Sequence, residues 1–383
     1  MLGSDYRGLA VVRSLGRRGI PVCVLSGGDD VLAAKSRYAL HRVELRGVDD
    51  DEQCEFLLNL GERLGLKGWV LFPTADDSAA MVARRHQQLS EQFELTSPPW
   101  RVLRWAHDKR LTYQRAGALG IAHPRTQPAR SAIATRLELD FPVIVKPAVR
   151  EEFNPLTAAK AWRVDDHAAL VERLAEATEL LDPDLLLLQE VIPGDEHLSY
   201  AALCERGRPL ASVVARRTRQ YPPDFGRAST FVETVDNSRV AALGERFLAS
   251  IEFDGLAEVE FKRDARDGVL KLLDVNPRVW GWHGLCSGAG VDFPFLAYRY
   301  ARRESVPNVR AAAGVRWLRL STDLPMALKQ IARGELSLLP YLRTVVGRHE
   351  SAVFARDDPW PALVEFPMLA ATLVRRLRNG HGV

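Results

Sequence analysis

Two neighbouring segments constrain the fold most strongly, because together they read as one β-hairpin that carries acidic residues. The segments are GLAEVEFKRD (255–264) and VLKLLDVNP (269–277), and the turn ARDG joins them. Antiparallel pairing about this turn places Glu260 opposite Asp274. Because side chains alternate along a strand, Asn276 points the same way as Asp274. The hairpin is therefore predicted to carry two carboxylates and an amide on one face.

These oxygen-bearing side chains favour a bound cation. Two neighbouring carboxylates repel each other unless a cation lies between them, and hard oxygen ligands suit Mg²⁺ that holds a polyphosphate. Arg278, two residues further along the same face, would reach a phosphoryl oxygen. The alternative is a solvated hairpin face with ordinary charges, which the apolar neighbours of Asp274 in LKLLDVNP disfavour.

Two lysines are candidate phosphate ligands. Lys146 ends the apolar run FPVIV, so its ammonium could be aimed into a cleft where a phosphate neutralises it. A snorkelling surface lysine is the alternative, and it is the favoured one when this segment is taken alone. Lys109, which begins a predicted helix, has the same two interpretations.

The segment QEVIPGDE (189–196) follows a strand of leucines and breaks at Pro193 and Gly194. Such a break leaves backbone N–H and C=O groups unpaired, and a planar base such as adenine can use them. Glu196 could accept a hydrogen bond from a ribose hydroxyl. The alternative is a strand that leaves the core with acids in the following loop.

The remaining patterns divide the chain into three predicted domains. Residues 1–105 alternate helices with short buried strands, which is typical of a Rossmann-like α/β domain. Residues 106–304 interleave hairpins and helices in an α+β arrangement, and residues 305–383 are predicted to be mostly helical. The turn GSDYRG (3–8) lacks the glycine fingerprint of a dinucleotide site, so a tight turn is favoured and a substrate-contacting lip is the alternative.

Bulk properties exclude several classes of protein. The net charge of +3 is small beside 52 basic and 49 acidic residues, so nucleic-acid binding is not expected. The four cysteines have no zinc-binding spacing and are expected to be reduced thiols. We see no signal-peptide pattern and no apolar run of roughly 20 residues, so a cytoplasmic location is expected.

Taken together, these segments resemble the ATP-grasp superfamily in the order that the family shows them. The matching segments are DK (108–109), FPVIVKP (141–147), LQEVIPGDE (188–196), GLAEVEFKRD (255–264) and LLDVNPRVWG (272–281). Within the superfamily, they look most like D-aspartate ligases and related carboxylate–amine ligases. The resemblance implies a Rossmann-like pre-ATP-grasp domain, a two-subdomain ATP-grasp fold and a helical C-terminal extension.

The resemblance also implies roles for individual residues. It implies that Lys109 and Lys146 contact the ATP phosphates and that Arg278 steers the phosphate. It implies that Glu190, Val191 and Ile192 lie at the adenine edge and that Glu196 binds the ribose. The implied Mg²⁺ ligands are Glu260, Asp274 and Asn276. Two Mg²⁺ ions are expected, with Mn²⁺ as an alternative. The segment 148–160 fills the place of the phosphate loop but contains no glycine, and Asp274 stands where glutamate is usual.

The implied activity is an ATP-dependent ligase that activates a carboxylate as an acyl phosphate and transfers it to an amine. Lys146, Arg278 and Arg217 are the candidate catalytic residues. Arg217 belongs to an arginine-rich segment (215–230) with Arg216, Arg219 and Arg227, for which a solvated basic loop is the favoured alternative. The alternative functions are a bicarbonate-activating carboxylase or carbamoyl phosphate synthase-like enzyme, and a catalytically silent nucleotide-binding protein.

Two further features have open interpretations. Trp280, Trp282 and His283 are expected to pack in the core, with an acceptor pocket as the alternative. Helices predicted at 325–333 and 361–378 combine apolar bodies with arginines. Packing on the core or in a homodimer is favoured for them, and contact with an anionic membrane surface is the less favoured alternative.

Overall fold

The computed structural model describes residues 1–27, 31–134, 137–149, 161–222, 225–226 and 228–367. The helices are α1 (Tyr6–Gly16), α2 (Asp50–Arg63), α3 (Asp76–Arg84), α4 (His86–Ser90), α5 (Trp100–His107), α6 (Lys109–Ala118), α7 (Ala129–Ala134), α8 (His167–Leu180), α9 (Ser238–Ser250), α10 (Leu285–Gly288), α11 (Phe293–Ala301), α12 (Leu320–Ala332) and α13 (Leu338–Val346). The strands are β1 (Val22–Ser26), β2 (Ala39–Glu44), β3 (Trp69–Leu71), β4 (Phe93–Leu95), β5 (Thr126–Pro128), β6 (Val143–Pro147), β7 (Trp162–Val164), β8 (Leu186–Glu190), β9 (His197–Glu205), β10 (Arg208–Tyr221), β11 (Ala228–Thr234), β12 (Gly255–Arg263), β13 (Leu270–Asn276), β14 (Val309–Arg310), β15 (Arg316–Leu318) and β16 (Glu350–Ser351). Short 3-10 helices cover Ala33–Lys35 and Pro183–Leu185.

The N-terminal region is built from parallel strands that alternate with helices. β1 pairs with β2 and β3 pairs with β4, both in parallel. Leu2 forms parallel bridges to Leu25 and to Pro73, so it lies between the two pairs. Parallel neighbours need a crossover connection, which the intervening helices provide. The alternating pattern expected for this region is therefore present.

The first helix joins this region to the rest of the molecule. Leu9 and Val12 of α1 belong to one buried apolar cluster with Trp280 and Phe293, which lie far along the sequence. The side chain of Asp5 caps the helix by accepting hydrogen bonds from two backbone N–H groups of its first turn. The cap and the shared core fix the turn before α1 against the segment that follows β13.

A four-stranded antiparallel sheet follows, with the strand order β5-β8-β6-β7. Val143 and Val145 of β6 and Leu188 of β8 are buried with Leu170 of α8 in one apolar cluster. Alternation then turns Lys146, the last residue but one of β6, to the opposite face of the sheet. This placement holds the lysine on a rigid strand.

The larger sheet contains the predicted hairpin. Its strand order is β13-β12-β9-β10-β11-β15-β16, with β14 paired to β10. The turn between β9 and β10 requires left-handed backbone at Arg206 (φ 45°) and Gly207 (φ 82°). A Cβ on Gly207 would lie 2.5 Å from the Cα of Ala249, so only glycine fits there. The hairpin of β12 and β13 occupies one edge of this sheet.

The C-terminal region adds strands to the same sheet. β14 pairs in parallel with β10, β15 pairs with β11, and β16 pairs with β15. α12 begins at Leu320, five residues before the predicted start at Pro325, and Asp323 in its first turn forms an ion pair with Arg219. α13 was not predicted. Of the helix predicted at 361–378, residues 361–367 are helical and the remainder lies outside the described residues.

A buried ion pair fastens the C-terminal region to α1. The guanidinium of Arg13 donates to the Asp358 carboxylate at 2.9 Å and to the backbone oxygen of Val353 at 2.7 Å. Ser36 Oγ also donates to Asp358, at 2.7 Å. One residue away, Asp357 forms an ion pair that is largely exposed. The two neighbouring acids therefore make ion pairs in very different surroundings.

Two expectations about cysteines and membrane spans can be compared with this structure. All four cysteines are buried and unpaired, as expected for reduced thiols. Within the described ranges, no helix combines the length and the apolar character that a bilayer span requires.

Replacing the buried acid should destabilise the protein far more than replacing its exposed neighbour. We expect Asp358→Asn to lower the free energy of unfolding by about 3 kcal/mol, because it leaves the buried Arg13 guanidinium uncompensated. Asp357→Asn should change it by less than ~1 kcal/mol, as is usual for exposed pairs. Denaturant unfolding of both variants measures the difference. Equal effects would show that the Arg13 pair does not fasten the C-terminal region.

Candidate functional site

The acidic hairpin forms with the predicted register. Glu260 lies directly opposite Asp274, and Asn276 lies opposite Glu258. A register shift follows Glu260, so the pairing beyond it moves by one residue. Since Glu258 is two residues before Glu260, three carboxylates and one amide share the same face.

Glu258 is a site residue that the sequence reasoning missed. Asn276 Nδ2 donates to Glu258 Oε2 at 3.0 Å and to Glu260 Oε1 at 2.8 Å, and Trp282 Nε1 donates to Glu258 Oε1 at 2.8 Å. Burial, followed by the charge of Glu260, raises the pKa of Glu258 to about 7. The signal was present in AEVEF, where both glutamates fall on one face of a strand.

Cations from two other parts of the chain meet these acids. Lys109 Nζ lies 3.1 Å from Asp274 Oδ1, and Arg217 Nη2 lies 3.4 Å from Glu260 Oε2. Arg217 lies on β10, so the alternative of a solvated loop is wrong for this residue, while Arg227 of the same segment lies outside the described residues. The predicted phosphate and carboxylate ligands therefore converge on the hairpin.

Arg278 connects the hairpin to the N-terminal region. Its Nη2 donates to Asn276 Oδ1 at 3.0 Å and to Asp76 Oδ2 at 2.9 Å. Asp76 is the first residue of α3. The sequence reasoning missed the role of Asp76, because no local pattern relates this residue to Arg278, some 200 positions later. Only the fold brings the two together.

Lys146 is buried and is not a snorkelling surface residue. Its Nζ donates to Tyr113 Oη at 3.0 Å and to Gln189 Oε1 at 2.8 Å. Burial, followed by the charge of Lys109, lowers the pKa of Lys146 to about 7. Tyr113 in turn donates to the backbone oxygen of Leu273 at 2.8 Å, so it spans the space between the two sheets. Both partners of Lys146 were missed by the sequence reasoning.

The segment expected at the adenine edge is more fully paired than the sequence suggested. The backbone N–H of Glu190 donates to Arg125 and that of Val191 donates to Pro142, so these two amides are not left open by the break. The strand stays in its ladder through Glu190, because β5 and β6 flank it. Ile192 is buried.

The side chains of both glutamates in this segment are also engaged. The Glu190 carboxylate accepts hydrogen bonds from the Arg125 backbone N–H, Arg266 and Lys271, each at 2.9 Å. Against the effect of burial, these donors lower the pKa of Glu190. Glu196 forms an ion pair with Arg263. Glu190 therefore joins β8 to the hairpin turn region.

The aromatic residues after the hairpin pack in the core, as favoured by the sequence. Trp280, Trp282 and His283 are almost completely buried. His283 Nε2 lies 3.0 Å from the backbone oxygen of Arg7, and burial lowers the pKa of this histidine to about 4. The turn GSDYRG thus contacts the segment next to the acidic residues, which is the position that a substrate-contacting lip would need.

An arginine-rich cavity of about 340 Å³ opens between the N-terminal region and the four-stranded sheet. Its lining includes Arg84, Arg104, Arg110, Trp100 and His107. Burial lowers the pKa of His107 to about 4, so this ring is neutral near pH 7. Two of the arginines are already paired, Arg84 with Asp50 and Arg110 with Asp108, which also lines the cavity.

Comparisons with known proteins agree with this geometry. Residues 182–321 match the family described as ATP-grasp in the biosynthetic pathway with Ter operon. The D-aspartate ligase of Enterococcus faecium (strain Aus0004) is 23% identical over 295 residues, which cover 73% of this chain and 70% of that protein.

Solved structures share the fold at low sequence identity. An L-amino acid ligase from Bacillus licheniformis aligns with a TM-score of 0.61 and 17% identity, covering 78% of this chain and 72% of that one. The ADP complex of N5-carboxyaminoimidazole ribonucleotide synthetase aligns with a TM-score of 0.66 and 14% identity, covering 87% and 84%. These similarities confirm the predicted ATP-grasp fold.

The pKa of Lys146 generates a prediction about nucleotide binding. About one pH unit above this pKa the free amine is mostly neutral, and a bound phosphate should restore its charge. Binding of a non-hydrolysable ATP analogue with Mg²⁺ should then take up close to one proton per site. Calorimetry in buffers of different ionisation enthalpy measures this uptake. Lys146→Arg, whose side chain stays charged, is the control. Equal proton uptake in both proteins would contradict the assignment of Lys146 as a phosphate ligand.

Proposed function

We propose that this chain, which has the ATP-grasp fold, is a ligase that uses ATP to activate a carboxylate as an acyl phosphate and transfers the acyl group to an amine. The observation that carries the proposal is the convergence of Lys109 and Arg217 on the paired acids Asp274 and Glu260, beside Arg278, which donates to Asn276 of the same hairpin. Such an arrangement of fixed charges stabilises the charge that develops during phosphoryl transfer.

Glu260, Asp274 and Asn276 form a donor set that fits Mg²⁺. They offer hard oxygen atoms from two paired strands, and the two carboxylates occupy directly opposite positions. Within the described residues, no group of three or more His, Cys, Asp or Glu side chains is placed to hold a metal ion by itself, so the ion would need Asn276 and the phosphate oxygens of ATP as further ligands. When bound, Mg²⁺ would neutralise the phosphate oxygens of ATP; two ions, with Mn²⁺ as an alternative, are proposed.

The two lysines would hold the phosphates of ATP. Lys146 is kept in place by Tyr113 and Gln189, and its desolvated amine gains most from a phosphate that restores its charge. Lys109 lies at the start of α6 and already contacts the hairpin through Asp274. ATP therefore would lie between the four-stranded sheet and the hairpin.

The adenosine end would lie beside the segment after β8. Glu190, Val191 and Ile192 are proposed at the adenine edge through backbone groups other than the N–H groups of Glu190 and Val191, which already donate to Arg125 and Pro142. Glu196, whose side chain is 35% exposed, would bind a ribose hydroxyl beside its ion pair with Arg263.

The arginines suit the two chemical steps. A carboxylate oxygen of the substrate attacks the γ-phosphorus and ADP leaves; an amine nitrogen then attacks the acyl carbon, loses a proton and displaces phosphate. Arg278 is held by Asn276 and Asp76, so its guanidinium is fixed beside the hairpin, where it would bind the transferred phosphoryl group. Arg217, held by His197 at 2.9 Å, would bind the substrate carboxylate.

The nature of the substrates is supported by the relatives. Two of the proteins to which this chain is similar are a D-aspartate ligase and an L-amino acid ligase. We therefore propose small-molecule carboxylate and amine substrates, with an amino acid as one of them.

The direct test measures ADP and phosphate release with Mg-ATP across a panel of amino acids and small carboxylates. Hydroxylamine added in place of the amine should convert an acyl phosphate to a hydroxamate. ATP turnover that depends on bicarbonate and yields no hydroxamate from the carboxylates would instead identify a bicarbonate-activating enzyme. Nucleotide binding with no turnover for any substrate would identify a silent nucleotide-binding protein.

Removing either hairpin carboxylate should stop catalysis without unfolding the protein. We expect Asp274→Asn and Glu260→Gln each to lower kcat at least about 10³-fold, because each removes a carboxylate that would hold the Mg²⁺ needed to neutralise the reacting phosphate. Asp267→Asn, in the exposed turn of the same hairpin, is the matched control and should retain activity. The ADP-release assay and thermal unfolding measure both properties. Normal turnover in Asp274→Asn would refute the metal assignment.

A further inference from the structure

Exposed apolar side chains are concentrated in the C-terminal region. Within the described residues, eleven large apolar side chains after residue 319 are at least 36% exposed, against six in the rest of the chain. The eleven are Leu320, Leu324, Leu328, Leu338, Leu339, Leu342, Val346, Phe354, Trp360, Leu363 and Phe366, and we call them the C-terminal apolar surface. Monomeric soluble proteins rarely expose so many apolar residues close together, so this surface calls for a binding partner.

The exposed residues lie in stripes along helices. Leu320, Leu324 and Leu328 are spaced four residues apart on α12, so they follow one side of that helix. Leu338, Leu342 and Val346 repeat the same spacing on α13. Each helix therefore exposes an apolar stripe, while its buried positions hold other residues, which are Ser321, Asp323 and Ala327 on α12 and Tyr341 on α13.

The inward sides of these helices are already satisfied. The Asp323 carboxylate of α12 accepts two hydrogen bonds from Arg219, at 2.8 and 2.9 Å, and the Tyr341 ring of α13 lies 5.2 Å from the same guanidinium. Ser321 donates to the buried Glu365 at 2.7 Å, which attaches the segment 360–367 to α12. These contacts join α12, α13 and the segment 360–367 to one another.

The same region of the chain carries positive charge that no ion pair among the described residues compensates. Lys329, Arg333, Arg343, Arg348 and Arg356 are all exposed, and in the described parts of the chain none of them forms an ion pair. Most acids of this region are instead held by arginines: Asp323 by Arg219, Asp358 by Arg13, Asp357 by Arg17 and Glu365 by Arg319. The sequence after residue 367 adds three more arginines and no acid.

We propose that the C-terminal apolar surface docks on an anionic lipid bilayer. Apolar stripes that alternate with basic residues are the pattern by which helices lie in a membrane interface, where the apolar side enters the acyl boundary and the cations meet anionic headgroups. A second copy of the chain is disfavoured because it would bring two sets of unpaired cations together. The proposal does not depend on the ligase activity.

Vesicle binding tests the proposal on the full chain. We expect the protein to co-sediment with vesicles of phosphatidylcholine mixed with phosphatidylglycerol, and to bind vesicles of phosphatidylcholine alone far more weakly. High salt should weaken the binding, because it screens the cations. No sedimentation with either vesicle at low salt would overturn the proposal.

Variants distinguish docking through this surface from nonspecific attraction. Leu339→Glu and Leu342→Glu should each weaken binding at least about tenfold, since each removes an inserting side chain and adds a repelled charge. Leu40→Glu, at a leucine 59% exposed on β2, is the matched control and should bind normally. Equal loss in all three variants would overturn the proposal. A concentration-dependent dimer in light scattering that Leu339→Glu abolishes, without vesicle binding, would also overturn it and assign the surface to a second copy.

Discussion

The arrangement of the molecule depends on one constraint, which is that the face of a single hairpin buries three carboxylates. Burying each ion costs roughly several kcal/mol of desolvation free energy unless a partner compensates its charge. Asn276 bridges two of the acids, Lys109 approaches the third, and Arg217 approaches Glu260. These partners come from α6, β10 and the hairpin itself, so compensation of the charges requires α6 to lie against the larger sheet.

The N-terminal region is tied to the same hairpin through Arg278. The guanidinium of this residue has one partner on the hairpin, Asn276, and one at the start of α3, Asp76. Displacing the first region would therefore remove a hydrogen bond from a buried cation. The Arg13–Asp358 pair holds the C-terminal region to α1 in a comparable way. Long-range ion pairs thus determine how the three regions are placed around the site.

The sequence predicted those features that depend on neighbours along the chain. The pairing of Glu260 with Asp274 followed from a short turn and strict alternation, and the structure has the same register. Glu258 was missed although the same alternation applies to it, because the expected ligand set included only one of the two glutamates in AEVEF. Tyr113 and Asp76 were missed for a different reason. Their partners lie far away in sequence, and only tertiary packing brings them to Lys146 and Arg278.

Arg217 and Arg219 show why residue type and spacing could not assign the remaining roles. They lie two positions apart on β10, and a register shift to β11 falls between them. Arg217 contacts Glu260 in the candidate site, whereas Arg219 is held by Asp323 and supports the C-terminal helices. The sequence assigned both to one basic segment. The role of each arginine depends on the acid that it contacts. Tertiary packing, not the local sequence, brings Glu260 to Arg217 and Asp323 to Arg219, so one strand contributes both to the candidate site and to the support of the C-terminal helices.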